Sequence, residues 1–407
     1  MIDRLRCATL LAFLLAACNR APANHPARPA PAQEAAARTD GGQLAHVRPP
    51  RAPCLGARGR GTPDALTDKA LDALDRSQGE KALACSEEAL QLEPDHLPAL
   101  HARAAALVAL GRLDEAKVAY ARALAAAPDD AEVLQGAADL YVSRLGSDRE
   151  LLELGRAYAV RGLAAARKAA KPDRDLVGGL ASLAAMAEND LGESRAALGH
   201  ADEALRVLPG DADALYERGV ALYELCRFDD ARGAFDRMLK KIPDDPWALH
   251  YLGLLAERSG DGGHADEYQR KARTLSPSDF RNPVEVGEAD FRREVASALA
   301  ALPDEDRRAI RNVPVEVADL PALDDLTAVE PPLSPSILGL FRGPAEQEPC
   351  QKSDGPNCRS IVLYRKNLAR FARTREELAE QVKVTLLHEI GHLRGENDDD
   401  LRARGLE

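Results

Sequence analysis

The chain has 407 residues, with 54 Lys and Arg against 66 Asp and Glu, which gives a formal net charge of −12 at pH 7. This excess of acidic residues argues against a nucleic-acid binder, which needs a basic face. Aromatic residues make up only 4% of the chain, and Ala and Leu are abundant. These proportions exclude a mostly-β protein and predict a mainly α fold, with length enough for two or three domains.

Residues 1–18 have the pattern of a secretory signal. Two arginines precede an uncharged apolar run from Cys7 to Cys18, which is too short to span a bilayer. The run ends Leu15-Ala16-Ala17-Cys18, which resembles the lipobox of bacterial lipoproteins. That resemblance implies lipidation of Cys18 and anchoring in the bacterial cell envelope. Asn19 favours the outer membrane, with the protein facing the periplasm. The alternative is ordinary signal cleavage that leaves Cys18 as a free thiol.

Residues 19–63 are expected to form a flexible tether. Between Ala21 and Pro53 there are seven prolines and no aromatic residue. The only large aliphatic side chains there are Leu44 and Val47. A segment of this composition cannot offset the entropy lost on folding. We therefore expect it to hold the folded part of the protein away from the lipid surface.

Prolines then recur at a fixed interval. Pro94 and Pro128, Pro209 and Pro243, and Pro243 and Pro277 are each 34 residues apart, and each interval holds two amphipathic helical stretches. Small residues stand at matching offsets in the three intervals: Ala104 and Ala116, Gly219 and Ala231, Gly253 and Ala265. This pattern resembles the tetratricopeptide repeat.

The resemblance implies a superhelix of about six helix pairs over residues 64–277. Residues 64–94 form a divergent first repeat, and the intervals 128–172 and 172–209 are longer, which predicts lengthened helices or loops there. Superhelices of this type usually present a groove to a protein partner. We therefore expect a protein or peptide to dock in the groove, and the alternative is that the array is only a spacer.

The 34-residue period stops after Pro277. Residues 278–287 are expected to be a linker, and residues 288–407 a small α+β domain. The expected elements are a helix at Asp290–Ala301, a short acidic helix after Pro303, strands at Val313–Val317 and Ser360–Tyr364, and a long helix at Arg375–Leu393.

The long helix carries an H-E-x-x-H motif, formed by His388, Glu389 and His392. Residues four apart lie on the same face of a helix, so both imidazoles can bind one Zn²⁺, and Glu389 is placed to act as the catalytic base. Gly395 allows the helix to end. Asp398 gives the longer pattern H-E-x-x-H-x-x-G-x-x-D, whose spacing resembles that of metzincins and makes Asp398 the expected third ligand.

Two observations limit this assignment. No histidine other than the motif pair follows His264, so the third ligand must be a carboxylate or a cysteine. Asp399, Asp400 and Glu396 are the other candidates. The methionine turn of metzincins is absent, so the chain is not an ordinary metzincin.

A wider stretch resembles the compact bacterial zincin-like metallopeptidases. The resemblance covers residues 288–407 and is carried by four segments: Leu302-Pro303 to Val315, Ile337–Phe341, Ile361–Arg365 and Val384–His392. It implies a minimal zinc domain that hydrolyses peptide bonds. In this scheme a substrate strand pairs with the edge of Ser360–Tyr364. Leu393 and Arg394 depart from the family pattern beside the metal ligands.

The remaining cysteines are expected to be structural. Cys350 and Cys358 lie in a polar loop and are predicted to form a disulfide in an oxidising envelope. Zinc binding by this pair is the lesser alternative. A bridge between Cys54 and Cys85 is a weaker prediction, and Cys226 is expected to be a buried free thiol.

Two functions follow from the sequence. The first is a lipid-anchored zinc metallopeptidase whose repeats present substrates or partners to the site. The second is a non-catalytic adaptor lipoprotein that retains a degenerate zincin domain.

Overall fold

The computed structural model describes Cys54 and residues 61–146, 148–350 and 358–406. The predicted signal peptide, Cys18 and nearly all of the predicted tether lie outside the described residues. No helix in the described part of the chain is both long enough and apolar enough to cross a membrane.

Among the described residues, twelve α-helices lie in the region in which the repeats are predicted. They are α1 (Pro63–Asp75), α2 (Gly79–Leu92), α3 (Leu97–Ala109), α4 (Leu113–Ala126), α5 (Ala131–Asp139), α6 (Arg149–Lys168), α7 (Arg174–Asp190), α8 (Ser194–Val207), α9 (Ala212–Glu224), α10 (Phe228–Leu239), α11 (Pro246–Arg258) and α12 (Gly262–Leu275). Consecutive helices pack as hairpins, for example α3 with α4 and α11 with α12.

The recurring prolines mark turns that start the next helix. Asp130 follows Pro128 by two residues, and its side chain accepts a hydrogen bond from the amide of Val133, which caps α5. Asp245 follows Pro243 in the same way and caps α11. Capping by aspartate satisfies an amide that the helix itself leaves unpaired. At Pro128 and Pro243 the 34-residue period therefore coincides with a turn and an aspartate cap.

Small residues hold the paired helices close together. Ala104 on α3 and Ala116 on α4 are both fully buried in one apolar cluster. The predicted irregular intervals contain the lengthened elements: α5 continues into a π-helical turn at Leu140–Arg144, and α6 has 20 residues. A disulfide joins Cys54 to Cys85 on α2. The sequence supported this bridge only weakly.

The region after the repeats contains six helices and three strands among its described residues. They are α13 (Glu288–Ala301), α14 (Asp304–Ala309), β1 (Val315–Ala318), α15 (Leu323–Leu326), β2 (Gly339–Arg342), β3 (Ser360–Tyr364), α16 (Arg365–Phe371), α17 (Arg375–Leu393) and α18 (Asp398–Ala403). The order of strands in the sheet is β1-β3-β2. Strand β3 is parallel to β1, with Val315 opposite Ile361, and antiparallel to β2, with Leu340 opposite Val362.

The strand order corrects one expectation. Strand β3 has a neighbour on each side, and all five of its residues are buried. The prediction that a substrate pairs with the edge of Ser360–Tyr364 is therefore wrong. Within the described residues, the sheet edge formed by β2 lies next to α17, and β2 packs against that helix.

The sheet buries a different core on each face. Ile361 and Leu363 of β3 pack with α13, α16 and α17 on one face. Val362 and Tyr364 point to the other face, where they join Cys226 and Phe228 from the repeat region. Cys226 is a buried free thiol, as expected.

The helices α10–α12 belong to the same compact unit as the sheet. The described residues up to Arg218 form one unit, and those from Gly219 onward form the other. Glu257 on α11 pairs with Arg370 and, at 3.1 Å, with Lys366 on α16. The expected linker, 278–287, packs onto this second region, where the amide of Val284 donates to Ala369. The main division of the chain thus falls inside the repeat array.

Candidate metal centre

Helix α17 places the two motif histidines on one face. The His388 and His392 side chains are 6% and 8% exposed, and their Nε2 atoms lie 3.0 Å apart. The helix has the predicted bounds because Thr374 caps its first turn and Gly395 terminates it. Gly395 has a φ of +85°, and the amide of Glu396 donates to Gly391 O at 3.0 Å, which closes a Schellman turn.

The second ring nitrogen of each histidine contacts a backbone carbonyl. His388 Nδ1 lies 2.6 Å from Leu406 O, and His392 Nδ1 lies 3.0 Å from Glu396 O. A carbonyl oxygen can only accept a hydrogen bond, so each Nδ1 must carry the proton. Burial and the neighbouring His388 lower the pKa of His392, which favours its neutral form. With the proton on Nδ1, Nε2 is the ring nitrogen that remains available to a metal, and the Nε2 atoms of the two rings face each other.

Asp398 joins this pair after the glycine turn. Its Oδ1 lies 3.4 Å from His392 Nε2 and 3.9 Å from His388 Nε2. The oxygen is buried and has no hydrogen-bond partner within the described part of the chain. The ligand atoms of the three residues all lie within 4.8 Å of one another.

These three donor atoms fit a zinc ion. Two imidazole lone pairs and a carboxylate oxygen at such separations repel one another unless a cation lies among them. In a tetrahedral zinc site with bonds of about 2.0–2.2 Å, ligand atoms are about 3.3–3.6 Å apart, which is close to the separations described above. Three protein ligands also leave one position for water or substrate, as in catalytic zinc sites.

Glu389 faces the edge strand of the sheet. It is 3% exposed, and its Oε2 accepts a hydrogen bond of 2.7 Å from the amide of Phe341 on β2. Burial raises the pKa of Glu389 to about 8, the Asp398 carboxylate contributes to the rise, and the Phe341 amide opposes it. The carboxyl group thus lies where it can exchange a proton near neutral pH.

The other candidate ligands have different partners. Asp399 is 90% exposed and pairs with Arg402. Asp400 accepts a hydrogen bond from the Asn397 amide in the capping box of α18. Glu396 pairs with Arg404. Of the four carboxylates considered, the structure brings only Asp398 to both histidines.

A loop after β2 lies against the end of α17. The amide of Glu346 donates to Leu393 O at 2.6 Å, and the Gln347 side chain donates to Arg394 O at 3.0 Å. Cys350 in this loop is bonded to Cys358, so the pair has no thiolates with which to bind zinc. The disulfide therefore lies in the connection that packs beside the metal centre.

Three groups at the centre were missed by sequence reasoning, and all are backbone atoms: the Phe341 amide and the carbonyls of Glu396 and Leu406. Every residue carries such groups, so no residue type marks them. Ile337–Phe341 contributes to the family resemblance in the sequence. Its position at the edge of the sheet cannot be read from its residues, because that position depends on pairing between distant segments.

Comparisons with known proteins agree with this architecture. Residues 310–406 match the zincin-like metallopeptidase family, and residues 73–140 and 182–246 match tetratricopeptide repeat families. The chain therefore carries tetratricopeptide repeats followed by a C-terminal zincin-like metallopeptidase domain, in a mainly α fold.

One curated relative is the cellulose synthase operon protein C of Xanthomonas axonopodis pv. citri (strain 306). It is 32% identical over 213 residues, which cover 51% of this chain and 14% of that protein. The chain thus spans about a seventh of the length of this relative.

Similar solved structures include the type IV pilus biogenesis factor PilW, which is 20% identical and has a TM-score of 0.46 over 53% of this chain and 94% of that one. Pseudomonas aeruginosa PilF is 18% identical, with a TM-score of 0.46 over 53% of this chain and 92% of that one. A tetratricopeptide repeat protein from Parabacteroides merdae is 17% identical, with a TM-score of 0.41 over 61% and 90%.

Proposed function

We propose that this protein is a zinc metallopeptidase that hydrolyses peptide bonds. The observation that carries the proposal is the set of His388 Nε2, His392 Nε2 and a buried Asp398 Oδ1 without a hydrogen-bond partner among the described residues, next to Glu389. These residues would hold the metal. Zinc, when bound in such a site, polarises the scissile carbonyl and lowers the pKa of water.

Glu389 acts as general base and then as general acid. It accepts a proton from the attacking water and donates it to the leaving amine, which needs a carboxyl group whose pKa lies near the working pH. Its contact with the Phe341 amide fixes the carboxylate beside the edge strand. Burial of Glu389 also excludes bulk water from the proton transfer.

The substrate is proposed to bind as an extended segment along the outer edge of β2. Tyr364 N of β3 donates to Leu338 O, whereas the Phe341 amide turns away from β3 toward Glu389. Backbone groups on this outer side other than the Phe341 amide can pair with an added strand. A peptide bound there passes directly over Glu389.

The repeats and the N-terminus complete the proposal. Tetratricopeptide repeats generally mediate protein–protein interaction, and here they bind a substrate or partner protein. Lipidation of Cys18 anchors the protein in the cell envelope, on the outer membrane facing the periplasm. Replacing Cys18 with Ser should abolish incorporation of labelled palmitate and release the protein from membranes.

One observation favours the second candidate, a non-catalytic adaptor. The side chains of His388, His392 and Asp398 are only 6%, 8% and 13% exposed. A site this enclosed also suits a purely structural metal ion.

The two candidates are separated by measuring zinc content and hydrolysis of a random peptide library. We compare the chain from Asn19 onward with Glu389→Gln and with a control on the same helix, Glu380→Gln, whose side chain is 67% exposed. Zinc in all three proteins, with cleavage lost only in Glu389→Gln, supports the peptidase. Zinc without cleavage in the parent chain supports the adaptor.

A further inference from the structure

The contacts to the motif histidines described above come from α17 itself and from one short segment that follows it. Residues 396–406, here called the clasp, contribute Glu396 O to His392, Leu406 O to His388, and the carboxylate of Asp398. The three candidate ligands are therefore divided between α17 and the clasp.

One apolar side chain of the clasp packs directly against α17. Leu401 is fully buried, and it packs directly on Gly391, where an added Cβ would lie 2.2 Å from Leu401 Cδ2. Leu406 is 9% exposed, and Arg404 pairs with Glu396 at the surface. Because α18 has only six residues, it is too short to be stable as an isolated helix.

Docking of the clasp places electron-rich atoms together. The two Nε2 atoms of α17 lie 3.0 Å apart, and docking of the clasp adds Asp398 Oδ1 at 3.4 Å from His392 Nε2. Without a cation these atoms repel one another and oppose docking. With a cation the same atoms attract it, so the metal favours the docked clasp.

We propose that metal binding and docking of the clasp are a single coupled step, in which Leu401 is a positioning residue for zinc. This inference rests on the metal site of the proposed function. Coupling is reciprocal: zinc stabilises the docked clasp, and weaker docking lowers zinc affinity by the same factor. Loss of metal then exposes the clasp to proteases.

The first measurement is trypsin cleavage after Arg402 and Arg404 of the full chain, followed by mass spectrometry. We expect cleavage to be at least about tenfold slower in zinc-loaded protein than after treatment with a chelator. Equal rates in a protein that has bound one equivalent of zinc would overturn the proposal.

The second measurement is the zinc affinity of Leu401→Ala, determined by competition with a chromophoric chelator. We expect a loss of about 10- to 100-fold, as for groups that support metal ligands without touching the metal. The matched control is Leu378→Ala, which makes the same change at an equally buried position of α17 but does not touch the clasp. Equal affinities of the two variants would overturn the proposal.

A milder variant is available if Leu401→Ala does not fold. Leu401→Val removes one methylene from the same buried side chain, and we expect zinc affinity to fall by about threefold. An unchanged affinity in this variant counts against the clasp.

Neither measurement uses peptide hydrolysis, so the two proposals fail separately. Zinc-dependent protection of the clasp without hydrolysis overturns the peptidase and supports the clasp. Peptide hydrolysis by a protein whose clasp is cleaved equally fast with and without zinc supports the peptidase and overturns the coupling of the clasp to the metal. A parent chain that binds no zinc overturns both.

Discussion

Helices α1–α4 and the zincin-like region differ in how far apart in sequence their contacting residues lie. In the helices, Ala104 packs with Ala116 of the adjoining helix, and one cluster covers neighbouring hairpins. In the zincin-like region, β3 pairs with β1 and β2 from much earlier in the chain. The metal centre likewise depends on segments near Phe341, His388 and Leu406. Repeats can therefore form pair by pair, whereas the site exists only after distant segments have met.

The strongest test of whether the metal centre depends on segments outside α17 is Asp398→Ala. It removes one of three candidate ligands, supplied from outside α17, and we expect zinc affinity to fall by at least about 100-fold. The control is Asp399→Ala, since that side chain is 90% exposed and pairs only at the surface. Competition with a chromophoric chelator measures the zinc affinity of both variants. Similar affinities for the two variants would contradict the assignment of Asp398.

The repeats should instead be sensitive to added volume. Ala104→Leu places a large side chain in a fully buried position between α3 and α4. Overpacking of this kind costs about 2 kcal/mol of unfolding free energy. Ala121→Leu makes the same change on an exposed face of α4 and should change stability by less than about 0.5 kcal/mol. Urea unfolding followed by circular dichroism distinguishes them, and equal midpoints would show that small residues do not hold these helices together.

The contact between helix α11 of the repeats and helix α16 of the zincin-like region is tested at Glu257. This residue of α11 is 19% exposed and pairs with Lys366 and Arg370 of α16, while burial lowers the pKa of Arg370. Glu257→Gln leaves Arg370 without this counter-charge, while Lys366 keeps a pair with Asp319 at 3.8 Å. We expect a loss of about 1.5 kcal/mol in local stability.

The matched control lies within the repeats. Glu153→Gln breaks the pair with Arg149, in which the side chains are 45% and 70% exposed, and should cost less than about 0.5 kcal/mol. Hydrogen exchange resolved by peptide reports each region separately. Slow exchange in α16 of Glu257→Gln, as in the parent chain, would mean that α11 does not support the zincin-like region.

The difference between local contacts in the repeats and long-range contacts in the zincin-like region explains how much could be predicted from the sequence. The repeats were predicted because their prolines and small residues recur at a short, fixed spacing. Helix α17 was predicted with its observed bounds because its start and end depend on local signals, among them Gly395. The central position of β3 was missed because strand order depends on long-range pairing. The carbonyls that orient the histidines, at Glu396 and Leu406, were missed because backbone groups have no residue signature.

The smallest expected effect comes from a contact inside one hairpin of the repeats. His200 Nδ1 on α8 lies 2.7 Å from Glu188 Oε2 on α7. The hydrogen bond with Glu188 raises the pKa of His200, while burial opposes the rise. Because the folded-state pKa is raised, the charged pair stabilises the fold fully below the ordinary histidine pKa. Its contribution fades as the pH rises through the raised value.

Glu188→Gln removes the charge and keeps the shape of the side chain. We expect the parent chain to exceed this variant in unfolding free energy by about 1 kcal/mol at about pH 5.5, and by clearly less at about pH 8.5. Urea unfolding at the two pH values measures the difference. A difference that is constant with pH would mean that the contact is a neutral hydrogen bond, and that this hairpin, like the Ala104 and Ala116 pair, depends on packing rather than charge.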